Sequence, residues 1–279
     1  MKQAKKFLPA LSFLLLLHAA HAQSDTAQAK PQFKLSVNYN TRLNYYGRTD
    51  SLKSSGIFPL AELWFTPKFY VNAAPIFVNN SMQHFDYAGT VATIGYQNVG
   101  TKWISGVYVT KPFYKESSAL VQSALKAQSG VSLAYQTTIV NINAGGDVKF
   151  SDKVDYGATA GLDHIIRIEN SDKSVIVLDP AVYAYAGTQN FQRTYYKKNN
   201  SGFLLFPGNN QQVTEEVSRF NVLAYEATMP LIYAKGKVML IATPAYIIPQ
   251  NLVTVANRPD LSERGQNTFY ATLTAKYTF

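Results

Sequence analysis

From Phe33 onward the chain alternates apolar and polar side chains in runs of about ten residues, parted by tight turns or longer polar stretches. The last eleven residues show the pattern at its cleanest. Phe269, Ala271, Leu273, Ala275, Tyr277 and Phe279 fall on one face of a strand. Tyr270, Thr272, Thr274, Lys276 and Thr278 fall on the other, because strand side chains alternate with period two. One face is apolar with aromatics at both ends, and the other is polar throughout. Such a strand suits hydrocarbon on one side and a wet lumen on the other, with aromatics at the two lipid–water interfaces. About ten tilted residues also suffice to cross a bilayer.

The same alternation predicts twelve strands: Phe33 to Leu43, Ile57 to Phe65, Lys68 to Val78, Tyr87 to Gln97, Lys102 to Thr110, Gly130 to Thr137, Ile139 to Phe150, Val154 to Ile168, Ser174 to Thr188, Ser218 to Met229, Val238 to Pro249, and Phe269 to Phe279. Parity tests the count, since bacterial barrels hold an even number of strands, with short periplasmic turns and long outer loops. From a periplasmic start, the polar loops at Tyr46, Asn79, Lys111, Gln189 and Gln250 all lie outside. The turns at Pro67, Gly100, Asp172 and Gly236 lie inside. One joint is poorly marked, because Thr137-Thr138 holds no Gly, Pro or Asn. Ten and fourteen strands therefore stand beside twelve. Pro59 and Pro75 imply edge-like or bulged pairing. Gly145, Gly146, Gly157 and Gly161 imply tight coiling or space in the lumen. Within Lys111 to Gln128, Ser117 is placed to cap a short helix carrying Leu120, Val121, Ala124 and Leu125, expected to stand outside the mouth.

The N-terminus adds an address. Lys2, Lys5 and Lys6 precede an apolar run from Phe7 to Leu17, and Ala20-His21-Ala22 gives a small-x-small cleavage pattern. The expected organisation is a signal peptide over 1–22, a flexible periplasmic lead-in over 23–32 and a barrel over 33–279. No apolar run after Leu17 is long enough for a spanning helix, so a membrane crossing here uses strands. There is no cysteine, which removes disulfide and thiol chemistry. The formal net charge is +9, three units of it on the signal lysines, and the remaining basic residues are scattered among acids. That pattern argues against nucleic acid as a partner. Charged residues make up only 15%, against 19 Tyr and 16 Phe, which fits an outer surface solvated by lipid.

The closing strand, with Tyr277 two places before a terminal Phe279, resembles that of Gram-negative outer-membrane β-barrels. The resemblance implies an all-β, transmembrane, antiparallel up-and-down barrel in the cell outer membrane. It also implies lipids and lipopolysaccharide as surroundings, and Tyr277 and Phe279 as the signal read by the barrel-assembly machinery. Gly187 to Phe191 and Tyr246 to Asn251 are similar in texture to uncharacterised barrels of Bacteroidetes, which assigns no activity.

Candidate chemistry is sparse. After the signal only His84 and His164 remain, far apart and outside any ligand spacing, so no metal or other cofactor is expected. Neither histidine has the serine context that a lipid hydrolase needs. Glu215-Glu216 point apart in a loop, and Ala144-Gly145-Gly146 opens no helix. What remains is the polar face itself. Lys34, Arg42, Glu62, Asn72, Asn141, Asn143, Asp147, Lys149, Asp155, Asp163, Tyr270, Thr272 and Lys276 are the expected lumen lining, of mixed charge. The favoured reading is a narrow passive channel for small polar solutes and not an enzyme. Beside it stand a non-conducting barrel acting through its outer loops, chiefly Gln189 to Val217, and a lipid-modifying enzyme. Solute and oligomeric state are left open.

Overall fold

The structure is a computed structural model that describes residues 30–49, 52–115, 118, 120, 124–171, 174–190, 219–252, 263 and 265–279. The expected signal peptide, the lead-in up to residue 29, Ser117 and the loop over residues 191–218 lie outside the described residues. From Pro31 onward the chain forms one compact unit.

Fifteen strand segments follow one another: β1 (Gln32–Asn40), β2 (Ser55–Trp64), β3 (Phe69–Asn79), β4 (Asp86–Val99), β5 (Trp103–Tyr114), β6 (Ala127–Tyr135), β7 (Asn141–Phe150), β8 (Val154–Asp163), β9 (Ile166–Ser171), β10 (Ser174–Leu178), β11 (Ala181–Gly187), β12 (Asn221–Thr228), β13 (Leu231–Lys235), β14 (Val238–Pro249) and β15 (Thr268–Thr278). Three successive pairs are single strands with an interruption. Along β14 the register runs unbroken from Ala224↔Pro249 on β12 to Lys235↔Val238 on β13. In the same way β8 continues as β9, and β10 as β11. Twelve strands result, each antiparallel to its neighbours in sequence. The ring closes where β1 pairs with β15, from Lys34↔Thr278 to Asn40↔Thr272. Closure is what lipid demands, because an open edge would leave a row of N–H and C=O groups without partners. The hairpin of β9 and β10 runs past β7, whose first residue Asn141 lies opposite Asp163.

The two faces separate as the alternation requires. Phe33, Leu35, Val37, Ile94, Val107, Val109, Leu162, Val182, Tyr225, Leu240, Leu273 and Tyr277 are exposed on the outside. Aromatic contacts cluster at the end that carries the short turns: Phe33 on Phe279 (5.4 Å between centroids), Phe65 on Phe69 (5.6 Å) and Trp103 on Tyr135 (4.6 Å).

The weakly marked turn at Thr137 is real, and a side chain makes it. Thr137 Oγ1 accepts from the amides of Ile139 and Val140 at 3.2 and 3.0 Å and donates to the Val140 carbonyl at 2.7 Å. The turn at Ser151 closes through Ser151 N–H to the Lys153 carbonyl at 3.0 Å. The first strand stops at Asn40, earlier than the alternation predicts. Asn40 Oδ1 accepts from the Arg42 amide at 3.0 Å and bends the chain away from the wall.

Prolines thin the ladder along one oblique line. His164 N–H reaches the Pro180 carbonyl (3.1 Å), Asp179 N–H that of Pro230 (3.0 Å), and Met229 N–H that of Pro244 (3.0 Å). Each of these pairs should exchange two bonds, but proline has no N–H to return. Three adjacent strand interfaces thus lose a bond at neighbouring rows. A second lapse lies between β2 and β3, where pairing stops after Ile57↔Phe77 and resumes at Ala61↔Ala73. That register sets Pro59 opposite Pro75. Hydrogen exchange should expose the first line: the amides of Asp179 and Met229 should exchange roughly fivefold faster than those of Ala181 and Ala227 one bonded row away, as a missing bond of about 1 kcal/mol implies. Equal protection across these rows would contradict it.

Candidate functional site in the lumen

The cross-strand register brings most of the polar residues onto the inner face, in linked groups. Lys276 donates to Glu62 at 2.7 Å, Trp64 Nε1 donates to the same carboxylate at 3.0 Å, and the Lys34 ammonium sits 4.5 Å over the Trp64 ring. Thr274 donates to Asn38 Oδ1 at 2.7 Å. Thr93 and Thr110 share a bond of 3.0 Å, one strand from Asn72, which lies opposite Thr93. Gln128 donates to the Tyr108 hydroxyl (3.1 Å) and to Asp147 (3.2 Å), and Asp147 is paired with Lys149. Asn141 donates to Asp163 at 2.7 Å, with Asn143 on its other oxygen, and Asp179 lies close enough for the two carboxylates to act on each other. Glu226 accepts from Tyr185 at 2.7 Å and from Tyr270. Thr272 lies between Asn40 and Thr243.

Two expected lining residues are placed otherwise. Arg42 lies beyond the end of β1, in the outer loop. Asp155 is fully buried and accepts from Thr188 Oγ1 (2.6 Å), Asn190 N (2.6 Å) and Asn190 Nδ2 (3.0 Å). It anchors the start of the long outer loop. His84 is exposed in a loop, and His164 is exposed at the interruption between β8 and β9. Among the described residues no three His, Cys, Asp or Glu side chains converge as a metal site would require.

Charge on the wall is unevenly shared. Asp147 answers Lys149 and Glu62 answers Lys276. On the β8–β12 arc, Asp163 accepts from amides and Glu226 from hydroxyls, and Asp179 stands between Asp163 and His164. Sequence reasoning missed Asp179 and Glu226. Asp179 sits just ahead of a proline, and Glu226 lies on the polar face of an alternating run, where the period-two signal does place it.

Inward tyrosines fold down onto glycines. A Cβ built on Gly95 would meet the Tyr70 ring at 2.3 Å, one on Gly130 the Tyr108 hydroxyl at 2.5 Å, and one on Gly161 the Tyr183 ring at 2.2 Å. Each tyrosine lies directly across a strand pair from its glycine. The absent side chain lets the ring lie along the wall instead of across the bore.

The outer mouth is filled by the chain's own loops. Between β1 and β2 the backbone turns at Tyr46 and Gly47, with φ of 52° and 77°. Gly47 suits that geometry and a close approach, since a Cβ there would meet Pro249 at 2.9 Å. The next residue, Arg48, is 2% exposed. Its guanidinium donates to Glu263 (3.1 Å) and to the carbonyls of Tyr46 (3.0 Å), Leu223 (3.0 Å) and Gln250 (3.1 Å). Loop β1–β2 is thereby tied to strand β12 and to the last outer loop. Tyr45 and Tyr46 pack with Leu125, and the Tyr46 ring lies 5.0 Å from that of Tyr185. Burial pushes both phenols well above their ordinary pKa, so they stay neutral. Across the mouth, Leu43 and Leu120 pack with Phe58 and Tyr114 against Ile76, Val78 and Ala88. Leu120 and Leu125 therefore point into the mouth, whereas the helix-prone segment was expected to stand outside. Apolar burial between loops decides their placement.

A closed wall with an apolar exterior, a hydrogen-bonded polar interior and long loops at one end defines a transmembrane β-barrel of the outer-membrane type. No family model matches the chain, and no curated protein is significantly similar in sequence. Solved structures similar in fold include LpxR from Salmonella typhimurium, with 9% identity, 88% of this chain and 100% of that one covered, and a TM-score of 0.44. The NanC porin is similar with 10% identity, coverage of 87% and 98%, and a TM-score of 0.45. An outer-membrane channel from Pseudomonas putida F1 is similar with 11% identity, coverage of 92% and 100%, and a TM-score of 0.43. At these identities the likeness concerns architecture and assigns no activity.

The tyrosine-on-glycine arrangement is testable. Gly161→Val should lift Tyr183 off the wall and lower stability by about 1–3 kcal/mol, the usual cost of overpacking, read as a lower urea midpoint of the refolded barrel in detergent. Gly146→Val should leave the midpoint nearly unchanged, because a Cβ there meets nothing closer than the Gly157 carbonyl at 3.6 Å.

Proposed function

We infer that the protein is a narrow passive channel for small polar solutes in the outer membrane, closed at its outer mouth by the loop between β1 and β2. The observation that carries this reading is the inner wall. From Lys34 to Lys276 it is lined by mutually bonded polar groups, and its largest side chains are laid flat over glycines. A barrel needing only to be solid would gain more from an apolar filling. Arg48 and Glu263 act as the latch, holding the loop in the mouth through a pair whose side chains are 3% and 2% exposed. Solutes pass when the latch opens. The carboxylates of Asp163, Asp179 and Glu226 favour cations, as acidic linings do in selective pores. Export follows the expected signal over 1–22, and assembly uses Tyr277 and Phe279, whose rings lie 4.8 Å apart at the barrel's seam.

The filled mouth supports a second reading, a non-conducting barrel acting through its outer loops. Planar-bilayer recording separates the two. The wild-type protein should give brief, small openings, and Arg48→Ala should raise the open fraction at least severalfold, because it removes the guanidinium that ties the loop to Leu223, Gln250 and Glu263. Glu226→Gln in that variant should reduce the preference for potassium over chloride, measured as a reversal potential moved toward zero in a salt gradient. Silence from both the wild type and Arg48→Ala, in protein shown to be folded, would end the channel reading and favour the second.

A further inference from the structure

We propose that a groove on the outer wall, crossing β14, β15, β1, β2 and β3, is a seat for one anionic phospholipid of the inner leaflet. Its volume is about 520 Å³, within the roughly 300–1,000 Å³ typical of small-molecule sites. The floor is cut low by Ala61, Ala73 and Ala275, and by Pro59 and Pro75, which face each other where the ladder lapses. Tyr277 and Val238 form its rim at the short-turn end. An acyl chain lies in the floor, because that surface is apolar and belongs to the lipid-facing side of the wall.

The head group is chosen by charge. Val238 on the rim has Lys237 beside it in the chain and Lys235 directly across the strand pair. Both lysines are exposed at this end, and the Lys237 carbonyl accepts from Thr278 at 2.9 Å, which fixes that turn against the closing strand. Two exposed lysines flanking Val238, one beside it in the chain and one across the strand pair, put positive charge next to an apolar trough, which matches a lipid phosphate with a chain below it. A second outer groove, of about 460 Å³, has Ala160, Ala184 and Ala227 in its floor. None of its lining residues neighbours a lysine along the chain or across a strand pair. It therefore serves as an internal control, expected to meet bulk lipid without holding it. The seat does not depend on the channel reading.

The test uses the refolded barrel in nanodiscs of phosphatidylcholine with a minor fraction of phosphatidylglycerol, moved into mild detergent and weighed by native mass spectrometry. The wild type should retain one phosphatidylglycerol per barrel in preference to phosphatidylcholine. Lys235→Gln with Lys237→Gln should lower that retention roughly tenfold or more, and Ala61→Leu with Ala275→Leu should abolish it while keeping both lysines. Ala227→Leu, in the other groove, should change nothing. Heat-modifiable migration in gels checks folding, and the lysine pair, being exposed, reads out even if the filled groove misfolds. Equal retention of the two lipids, or retention unchanged in the lysine variant, overturns the proposal. A dimer mass lost on filling the groove also overturns it and makes a second copy of the chain the occupant.

Discussion

The wall of this protein follows from one requirement: a peptide group in hydrocarbon must find its hydrogen-bond partner within the protein. A meander of antiparallel strands meets that demand only by joining its first strand to its last. Here β1 does so along seven consecutive residue pairs with β15. Once the ring is closed, period-two geometry assigns every side chain to oil or to the interior. Scarce charge, abundant aromatics and alternation are then three expressions of the same wall.

The interior shows what a barrel of this size does with space it cannot fill from the wall alone. Along the wall, polar side chains bond to one another, and tyrosines lie flat over glycines. At the end that carries the β1–β2 loop, loops descend to finish the packing. Arg48 is the structural centre of that end, because one guanidinium satisfies three carbonyls and one carboxylate drawn from three parts of the chain. A group with fixed planar donors suits this task, and a lysine would not span the same acceptors. The buried ion pair thus specifies where a loop sits more than it adds stability.

Strand identity, number and facing were legible in the sequence because they rest on local alternation. Even the turn at Thr137 fell where parity required it, although the hydroxyl that closes it carries no strong composition signal. The wall residues from Lys34 to Lys276 could be listed for the same reason. Interior contacts were not legible. Arg48 and Glu263 are 215 residues apart, both lie in polar loops, and nothing in their spacing announces a partner. Leu120 and Leu125 looked like one face of a free helix. Asp155 sat on the correct face of its strand, yet a downstream segment claimed its carboxylate. The wall's bias toward acid on one arc also emerged only when Asp179 and Glu226 were set beside Asp163.

The proline line through His164–Pro180, Asp179–Pro230 and Met229–Pro244 has a mechanical consequence. A fully laddered sheet resists shear between strands almost evenly around its circumference. Here one sector is joined by fewer rungs, so the ring is stiffer on the β4–β7 side than between β8 and β14. Thermal distortion of the outline from circular to oval then concentrates in the more compliant sector. That sector carries Asp163, Asp179 and Glu226, so the bore's elastic weak side and its most negative side coincide.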